Sequence, residues 1–227
     1  MKKINRALIS VWDKSGLDVF AKKLNDCGVE IISSGGTARY LRDAGLDVKD
    51  VSDLTGFPEM LDGRVKTLHP KVHGGILAIR DNTSHIEDAK KNDIELIDLV
   101  VVNFYPFEET IKKDGVSFQE AIENIDIGGP TIVRAAAKNF QDVSVIVDVS
   151  DYEKIINNIQ NNELLVDKEL NYSLAKKAFS YVSNYDASIS NHLGILNTDN
   201  SKNEMPDTLT LHYEKAYDLR YGENPHQ

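Results

Sequence analysis

Residues 63–75 hold the side chains best suited to chemistry in this sequence. They include the cations Arg64 and Lys66, the hydroxyl of Thr67 and two imidazoles. Pro70 and three glycines predict an irregular loop, because proline restricts the preceding residue and glycine lets the backbone approach a ligand closely. In an extended backbone, Arg64 and Lys66 would project to the same side. The pattern favours an active-site loop for an anionic or carbonyl-bearing substrate over a solvated basic loop.

A second candidate is Ser34-Gly35-Gly36-Thr37, which follows an apolar run at residues 29–33 and opens a helical pattern. A strand, a glycine-rich turn and a helix N-terminus together present free N–H groups to a phosphate. The same residues also fit an ordinary βα loop that needs one glycine at positive φ and binds nothing. Neither Gly-x-Gly-x-x-Gly nor Gly-Lys-Ser/Thr is present, so a dinucleotide fingerprint and a P-loop are both excluded.

Polar side chains also follow the strongest predicted strand, the β-branched run at residues 97–102. Ligands of open α/β sheets bind outside the carboxyl ends of the strands. We therefore expect Asn103 and Tyr105 in a ligand-binding crevice at the carboxyl end of this strand. A packing role is the alternative for Tyr105.

Another Gly-Gly pair, Gly128 and Gly129, precedes Pro130, which suits the first turn of a helix. The helix predicted from there carries Arg134 and Lys138 four positions apart, and hence on one face. The small residues between them permit close packing.

Two other chemistries are poorly supported. His69 and His73 are four apart, but a zinc pair of this spacing needs a helix with an intervening Glu, and Pro70 stands between them. Nucleophilic catalysis lacks a Gly-x-Ser-x-Gly elbow, and Cys27 lies in a helical pattern that indicates a core position. We expect no metal site.

The composition limits the possible partners. A chain of 227 residues with a formal net charge of −10 has no basic stripe for a nucleic-acid backbone. It has no run of eighteen apolar residues and no signal peptide pattern, so we expect neither membrane insertion nor secretion. One cysteine excludes a disulfide framework within the chain, which favours a reducing, cytoplasmic location.

Apolar strand runs alternate with helical patterns along the chain, which predicts an α/β fold with a mainly parallel sheet. The predicted strands lie at residues 6–11, 29–33, 48–51, 97–102 and 143–147, and later helices at about 151–160 and 167–192. We expect a domain at 1–196, with a core at about 1–148 and a helical extension at about 149–196. By composition the segment 197–227 begins with a polar linker at residues 197–207 and ends without completing a further element.

Taken together, several motifs resemble the inosine monophosphate cyclohydrolase domain of the bifunctional purine-biosynthesis enzyme. They cover almost the whole chain in the order of that family. The motifs are Ser10-Val11-x-Asp13-Lys14, Ser34-Gly35-Gly36-Thr37, Gly63-Arg64-Val65-Lys66-Thr67-Leu68-His69-Pro70, Asn103-Phe104-Tyr105-Pro106-Phe107, Asp126-Ile127-Gly128-Gly129 and Arg134-Ala135-Ala136-Ala137-Lys138-Asn139.

The resemblance implies a three-layer α/β fold of the methylglyoxal-synthase-like type, with helices on both faces, that works as a homodimer without metal. The implied reaction is the closure of 5-formamidoimidazole-4-carboxamide ribotide to inosine monophosphate with loss of water. By family motif, Lys66 and Tyr105 would polarise the formyl oxygen, and Asp126 and Lys138 would move protons.

The family's substrate-binding segments match a larger set of positions. These are Trp12, Asp13, Lys14, Ser34, Gly35, Gly36, Thr37, Arg64, Lys66, Thr67, Val102, Asn103, Asp126, Ile127, Gly128 and Gly129. Trp12 departs from the serine common in the family, so any role of Trp12 rests on its backbone.

The resemblance implies no cofactor for ring closure. The last nine residues resemble the opening of the enzyme's AICAR transformylase domain, and 10-formyltetrahydrofolate would serve that absent domain alone. The alternative function is an effector-binding module of the same fold that holds a phosphorylated ligand without catalysis. Methylglyoxal synthase itself lacks support for its acid–base set.

Overall fold

A five-stranded parallel sheet forms the centre of the part of the chain that the structure describes, which is residues 3–218 apart from positions 114, 200 and 202. The structure is a computed structural model. The strands are β1 (Arg6–Val11), β2 (Glu30–Ser33), β3 (Lys49–Asp50), β4 (Leu99–Asn103) and β5 (Ser144–Ile146), in the order β3-β2-β1-β4-β5. The predicted α/β class is confirmed.

Helices connect the strands and cover both faces of the sheet. They are α1 (Leu17–Asp26), α2 (Gly35–Asp43), α3 (Val51–Thr55), α4 (Pro70–Leu77), α5 (Thr83–Lys91), α6 (Phe107–Ile111), α7 (Phe118–Glu123), α8 (Gly128–Lys138), α9 (Tyr152–Asn161) and α10 (Lys168–Ile195), with short 3-10 turns at Leu61–Gly63 and Val149–Asp151. None of these helices is both long enough and apolar enough to cross a membrane.

The sheet separates two hydrophobic clusters, because successive side chains of a strand point to opposite faces. In β4, Val100 and Val102 belong to the cluster shared with α4, α8 and α10. Leu99 and Val101 belong to the cluster shared with α1, α2 and α9. The two last helices therefore bury their apolar faces on opposite sides of the same sheet.

The strand order changes direction between β1 and β4. From β1 the chain moves outward to β2 and β3, and it then returns to the other side of β1 as β4. The carboxyl ends of β1 and β4 thus border a topological switch point, where α/β folds bind their ligands.

The prediction of an irregular loop through residue 75 is wrong in its second half, because residues 70–77 form α4. Pro70 occupies the first helical turn, and His69 caps the helix by accepting a hydrogen bond from the Lys71 amide at 3.1 Å through Nδ1. An ideal Cβ on Gly75 would lie 2.4 Å from the Glu95 carbonyl oxygen. Glycine at this position therefore allows the helix to pack closely, and it does not mark a loop.

The buried guanidinium of Arg80 joins the end of α4 to the start of β4. It donates to the carbonyl oxygens of Gly75 at 3.1 Å and Ile97 at 2.7 Å, and it lies 3.4 Å from the Asp98 carboxylate. Both side chains of this ion pair are less than a tenth exposed, at 8% and 9%. A buried charge is stable only when paired in this way, so the contact fixes α4 on the sheet.

After α10 the chain turns back along that helix. The side-chain amide of Asn191 accepts from the Thr210 amide at 2.9 Å and donates to the Thr210 carbonyl at 2.7 Å. The sequence resemblance at residues 219–227 lies outside the described residues.

Gly74 and Gly75 form a matched pair for testing the packing of α4. At either site, the higher intrinsic helix propensity of alanine would stabilise the helix by about 1 kcal/mol relative to glycine. At Gly75 the new Cβ meets backbone, whereas at Gly74 it meets the movable Ile94 Cδ1 at 2.9 Å. We expect Gly75→Ala to lower the free energy of unfolding by about 1–3 kcal/mol more than Gly74→Ala, measured by urea denaturation. Equal stability of the two variants would contradict this account of Gly75.

Candidate active site

The side-chain amide of Asn103 joins the end of β4 to the loop after β1. Its Oδ1 accepts hydrogen bonds from the amides of Trp12 at 2.7 Å and Asp13 at 3.0 Å, and its Nδ2 donates to the Asp13 carbonyl at 3.1 Å. Asn103 lies at the carboxyl end of β4 and borders the crevice. Its amide group shapes the crevice wall through these three hydrogen bonds, which use Oδ1 and one of the two N–H groups of Nδ2.

The N-terminus of α2 forms the floor of the crevice beside β1. Gly35 has a φ of 56°, in the left-handed region that favours glycine, and the first amides of the helix lack intrahelical partners. The Lys66 Nζ lies 2.9 Å from the position of an ideal Cβ on Gly35. A cation beside a helix N-terminus is unfavourable alone, because the helix dipole is positive there. An anion bound between them would be stabilised by both.

Thr37 and Ser34 have different roles in this floor. The Thr37 hydroxyl accepts from the Val11 amide at 3.1 Å and donates to the Val11 carbonyl at 2.9 Å, so it holds α2 against β1. Ser34 precedes the helix without a side-chain capping bond. The Lys14 ammonium donates to the Trp12 carbonyl at 3.1 Å, at the rim of the same loop. Backbone amides, more than the Thr37 hydroxyl, are therefore available for an anion.

The expectation that Arg64 and Lys66 project to the same side is wrong. The backbone after the 3-10 turn continues through turns, with the Leu68 amide donating to the Val65 carbonyl at 2.9 Å. Arg64 forms an ion pair with Glu123 of α7, while Lys66 turns towards Gly35. Side chains two residues apart project to the same side only in an extended backbone, and this loop is not extended.

The second Gly-Gly pair starts a helix, α8, as the sequence predicts, and this start lies on the opposite wall of the crevice. An ideal Cβ on Gly128 would lie 2.7 Å from the Thr67 hydroxyl, so glycine lets that side chain reach the start of α8. The Asp126 Oδ1 accepts from the Gly129 amide at 2.9 Å, and Phe104 packs against Gly129. The structure thus brings Lys66, Thr67 and Asp126 to two neighbouring helix starts.

The carboxyl of Asp126 is half-buried just before the start of α8. Burial raises its pKa above the ordinary value, although the hydrogen bonds from the Gly129 and Gly128 amides oppose this shift. A raised pKa makes the carboxylate a stronger base than a solvent-exposed aspartate.

A cavity of about 460 Å³ extends from the crevice towards β5 and α10. Trp12 and Tyr105 line it, and both side chains are exposed, at 46% and 56%. Val102 is buried within β4 and offers no side chain to a ligand, whereas Ile127 is exposed at the start of α8. Tyr105 therefore lies where a bound molecule can reach its hydroxyl.

Lys138 is the candidate that the described protomer does not bring to the others. It is exposed at the last position of α8, ten residues after Gly128, and a rise of 1.5 Å per residue places it about 15 Å along the helix from Gly128, at the end opposite to Asp126. Asp126 therefore lies at the crevice, whereas Lys138 lies at the far end of α8.

The two imidazoles near the loop take separate positions. His69 caps α4, and burial lowers the pKa of His73 against an opposing hydrogen bond with the Thr67 backbone. Among the described residues, no group of three or more His, Cys, Asp and Glu side chains is arranged to hold a metal ion.

Sequence reasoning missed two tyrosines of α10 that contact the site loops. The Tyr181 hydroxyl accepts from the Phe104 amide at 3.1 Å, and the Tyr185 hydroxyl accepts from the Asp126 amide at 2.8 Å. Their spacing of four places both on one helix face, but nothing in the sequence indicates which loops that face meets.

The parallel sheet and the site at the carboxyl ends of its strands define an MGS-like domain. The chain belongs to that family, whose model matches residues 16–131. A second family model, the AICARFT/IMPCHase bienzyme, matches residues 136–227. The chain is 53% identical over all of its 227 residues to the bifunctional purine biosynthesis protein PurH of Magnetococcus marinus, and it spans 43% of that relative. The resemblance seen in the motifs is confirmed.

The same fold is found in a solved structure, the crystal structure of ForH. It is 37% identical to this chain and superposes with a TM-score of 0.73, covering 82% of this chain and 97% of ForH.

Gly36 offers a test of the anion site that does not disturb the fold. An ideal Cβ on Gly36 meets no atom within 4 Å, so a side chain there fits the unliganded protein and would fill the space above the helix start. We expect Gly36→Val to unfold at the same temperature as the native protein and to lose the stabilisation that inorganic phosphate gives. Thermal unfolding with and without phosphate measures both. Ala44→Val, at the exposed other end of α2, serves as the control. Undiminished stabilisation by phosphate in Gly36→Val would place the anion elsewhere.

Proposed function

We propose that this chain is an inosine monophosphate cyclohydrolase, which closes the ring of 5-formamidoimidazole-4-carboxamide ribotide with loss of water. The observation that carries the proposal is the position of Lys66, whose ammonium lies beside the start of α2 while its neighbour Thr67 reaches the start of α8. The similarity to PurH over the whole chain supports the same reaction.

Ring closure makes three demands on a protein. The carboxamide nitrogen attacks the formyl carbon, so the two groups must be held in contact. Negative charge develops on the formyl oxygen and needs a positive partner. One proton must leave each of the two reacting nitrogens, and both must reach the oxygen that departs as water.

The substrate phosphate is proposed to bind at the start of α2. A dianion there gains from the free amides and from the helix dipole, each on the order of 1 kcal/mol. The ribotide would then extend across the crevice towards α8, with Lys14 and Ser34 at its phosphate end and Thr67 and Gly128 further along.

Lys66 and Tyr105 are proposed to meet the formyl oxygen. A fixed ammonium stabilises the oxyanion better in a crevice that excludes water than it would in solution. Asp126 is proposed to accept the proton from the attacking nitrogen, and its burial supports this role because the raised pKa makes it a stronger base.

Lys138 is proposed to act in the site of a second copy. About 15 Å of helix separates it from Gly128, at the end of α8 where Asp126 of its own chain lies, so a homodimer that brings the end of α8 from one protomer to the site of the other would carry it into a crevice. In that position Lys138 would donate one proton to the departing oxygen and regain one from the formamide nitrogen, while Asp126 would pass on the proton of the attacking nitrogen.

The proposed reaction uses no cofactor. The longer relative is named bifunctional, and formyl transfer from 10-formyltetrahydrofolate would belong to the remaining part of such a protein. A cytoplasmic location is part of the same proposal.

The function and the shared site are tested in one absorbance assay of inosine monophosphate formation. The native chain should be active, and Lys66→Met and Lys138→Met should each lose most of the turnover. After subunit exchange, an equal mixture of the two variants should recover about a quarter of the native activity, because half of the dimers are mixed and each of these has one intact site.

Each outcome of this assay separates a different hypothesis. A native chain that binds the ribotide without converting it would favour the effector-binding module. An active native chain with an inactive mixture would show that Lys138 does not act across a dimer. Lys138→Arg is a further control, since arginine keeps the charge but does not exchange a proton near neutral pH.

The role of Asp126 predicts an acid limb in turnover. The carboxylate accepts a proton only when ionised, so turnover should fall as the pH falls through a pKa that lies above the ordinary 3.8. Asp126→Asn should be slow throughout and lack this limb, while Asp18→Asn on the surface of α1 should retain it. The measurement is turnover against pH, and a limb that persists unchanged in Asp126→Asn would assign the proton to another group.

A further inference from the structure

Helix α10 presents two tyrosines to the candidate site, although neither belongs to the segments that the family motifs cover. Tyr181 and Tyr185 are one helical turn apart and therefore lie on the same face. Tyr185 is 7% exposed and packs in the same hydrophobic cluster as α8 and β4. Burying a phenol at this depth is stabilising only if its hydroxyl has hydrogen-bond partners.

The partners of the Tyr185 hydroxyl lie in the turn that carries Asp126. The hydroxyl accepts from the Asp126 amide at 2.8 Å, and the Asn124 carbonyl lies 3.5 Å away as a weaker acceptor. On the other side of the same residue, the Asp126 carboxylate accepts from the Gly129 amide at 2.9 Å. The backbone of Asp126 is thus fixed by α10 and its side chain by α8.

Tyr181 holds the neighbouring loop in the same manner. Its hydroxyl accepts from the Phe104 amide at 3.1 Å, between the site residues Asn103 and Tyr105. The Phe104 ring lies 4.6 Å from the Tyr181 ring and 4.9 Å from the Tyr185 ring, measured between centroids. One aromatic cluster therefore sets the distance between the end of β4 and the start of α8.

We propose that Tyr185 is a positioning residue for Asp126, and that Tyr181 has the same role for the loop containing Asn103 and Tyr105. The inference rests on the proposed cyclohydrolase function, because it assigns the tyrosines to the wall of that site. Both act through backbone amides, so neither contacts the reacting atoms. Burial raises the pKa of Tyr185 to about 12, which keeps the hydroxyl neutral at any working pH.

The test is a double-mutant cycle between Tyr185→Phe and Asp126→Asn. Phenylalanine keeps the ring packing and removes only the acceptor of the Asp126 amide. We expect turnover to fall by about 10- to 100-fold, as for an ångström-scale displacement of a catalytic group, with KM changed less than about threefold because the phosphate end lies on the other wall. Once Asp126 is replaced, Tyr185→Phe should cause little further loss.

Tyr172→Phe supplies the matched control on the same helix. Tyr172 is 49% exposed and packs against Phe140, away from the crevice, so its variant should keep native turnover. Two results would show that Tyr185 is only a packing residue. One is native turnover in a folded Tyr185→Phe variant. The other is an equal loss of turnover on Tyr185→Phe whether residue 126 is Asp or Asn.

Amide hydrogen exchange tests the proposal independently of activity. In the native protein the Asp126 and Phe104 amides should be protected, and Tyr185→Phe should release Asp126 while Phe104 stays protected. Rapid exchange at Asp126 in the native protein would overturn the proposal even if Tyr185→Phe failed to fold. If the native chain showed no cyclohydrolase activity, the proposed function would fall, and the exchange pattern would still decide whether Tyr185 holds Asp126.

Discussion

The hydrogen bonds of the Asn103 side chain determine the geometry of the whole crevice. They join the end of β4 to the loop after β1, at the point where the order of the strands changes direction. Val11, the last residue of β1, is held from the other side by the Thr37 hydroxyl. Because β1 is fixed between β4 and α2, the start of α2 and the loop of Lys66 meet at a defined distance.

The elements with strong local signals were predictable from the sequence. Continuous β-branched runs specify buried parallel strands, and a Gly-Gly pair after such a run specifies a turn into a helix. The start of α2 at Gly35 follows this rule, and Pro130 in the first turn marks the other Gly-Gly helix start, that of α8 at Gly128. They form the two sides of the candidate site, so the position of the site in the fold could be predicted.

Features that depend on distant contacts could not be predicted. Gly75 indicates a loop by composition, but it lies within α4, where the Glu95 carbonyl leaves no room for a Cβ. Arg64 is drawn away from Lys66 by Glu123, a partner 59 positions later. The spacing of four residues predicts that Arg134 and Lys138 share one face of α8. It does not predict which end of α8 lies at the crevice, and therefore does not give the distance of Lys138 from the crevice.

Helix α10 gives the molecule a mechanical link between distant parts of the chain. Its middle holds the Phe104 and Asp126 amides, and its last turns hold the segment around Thr210 through Asn191. A packed helix of 28 residues transmits displacement along its axis, since close-packed side chains resist compression. A displacement of the segment around Thr210 would thus act on the same helix that sets the distance between the two walls of the crevice.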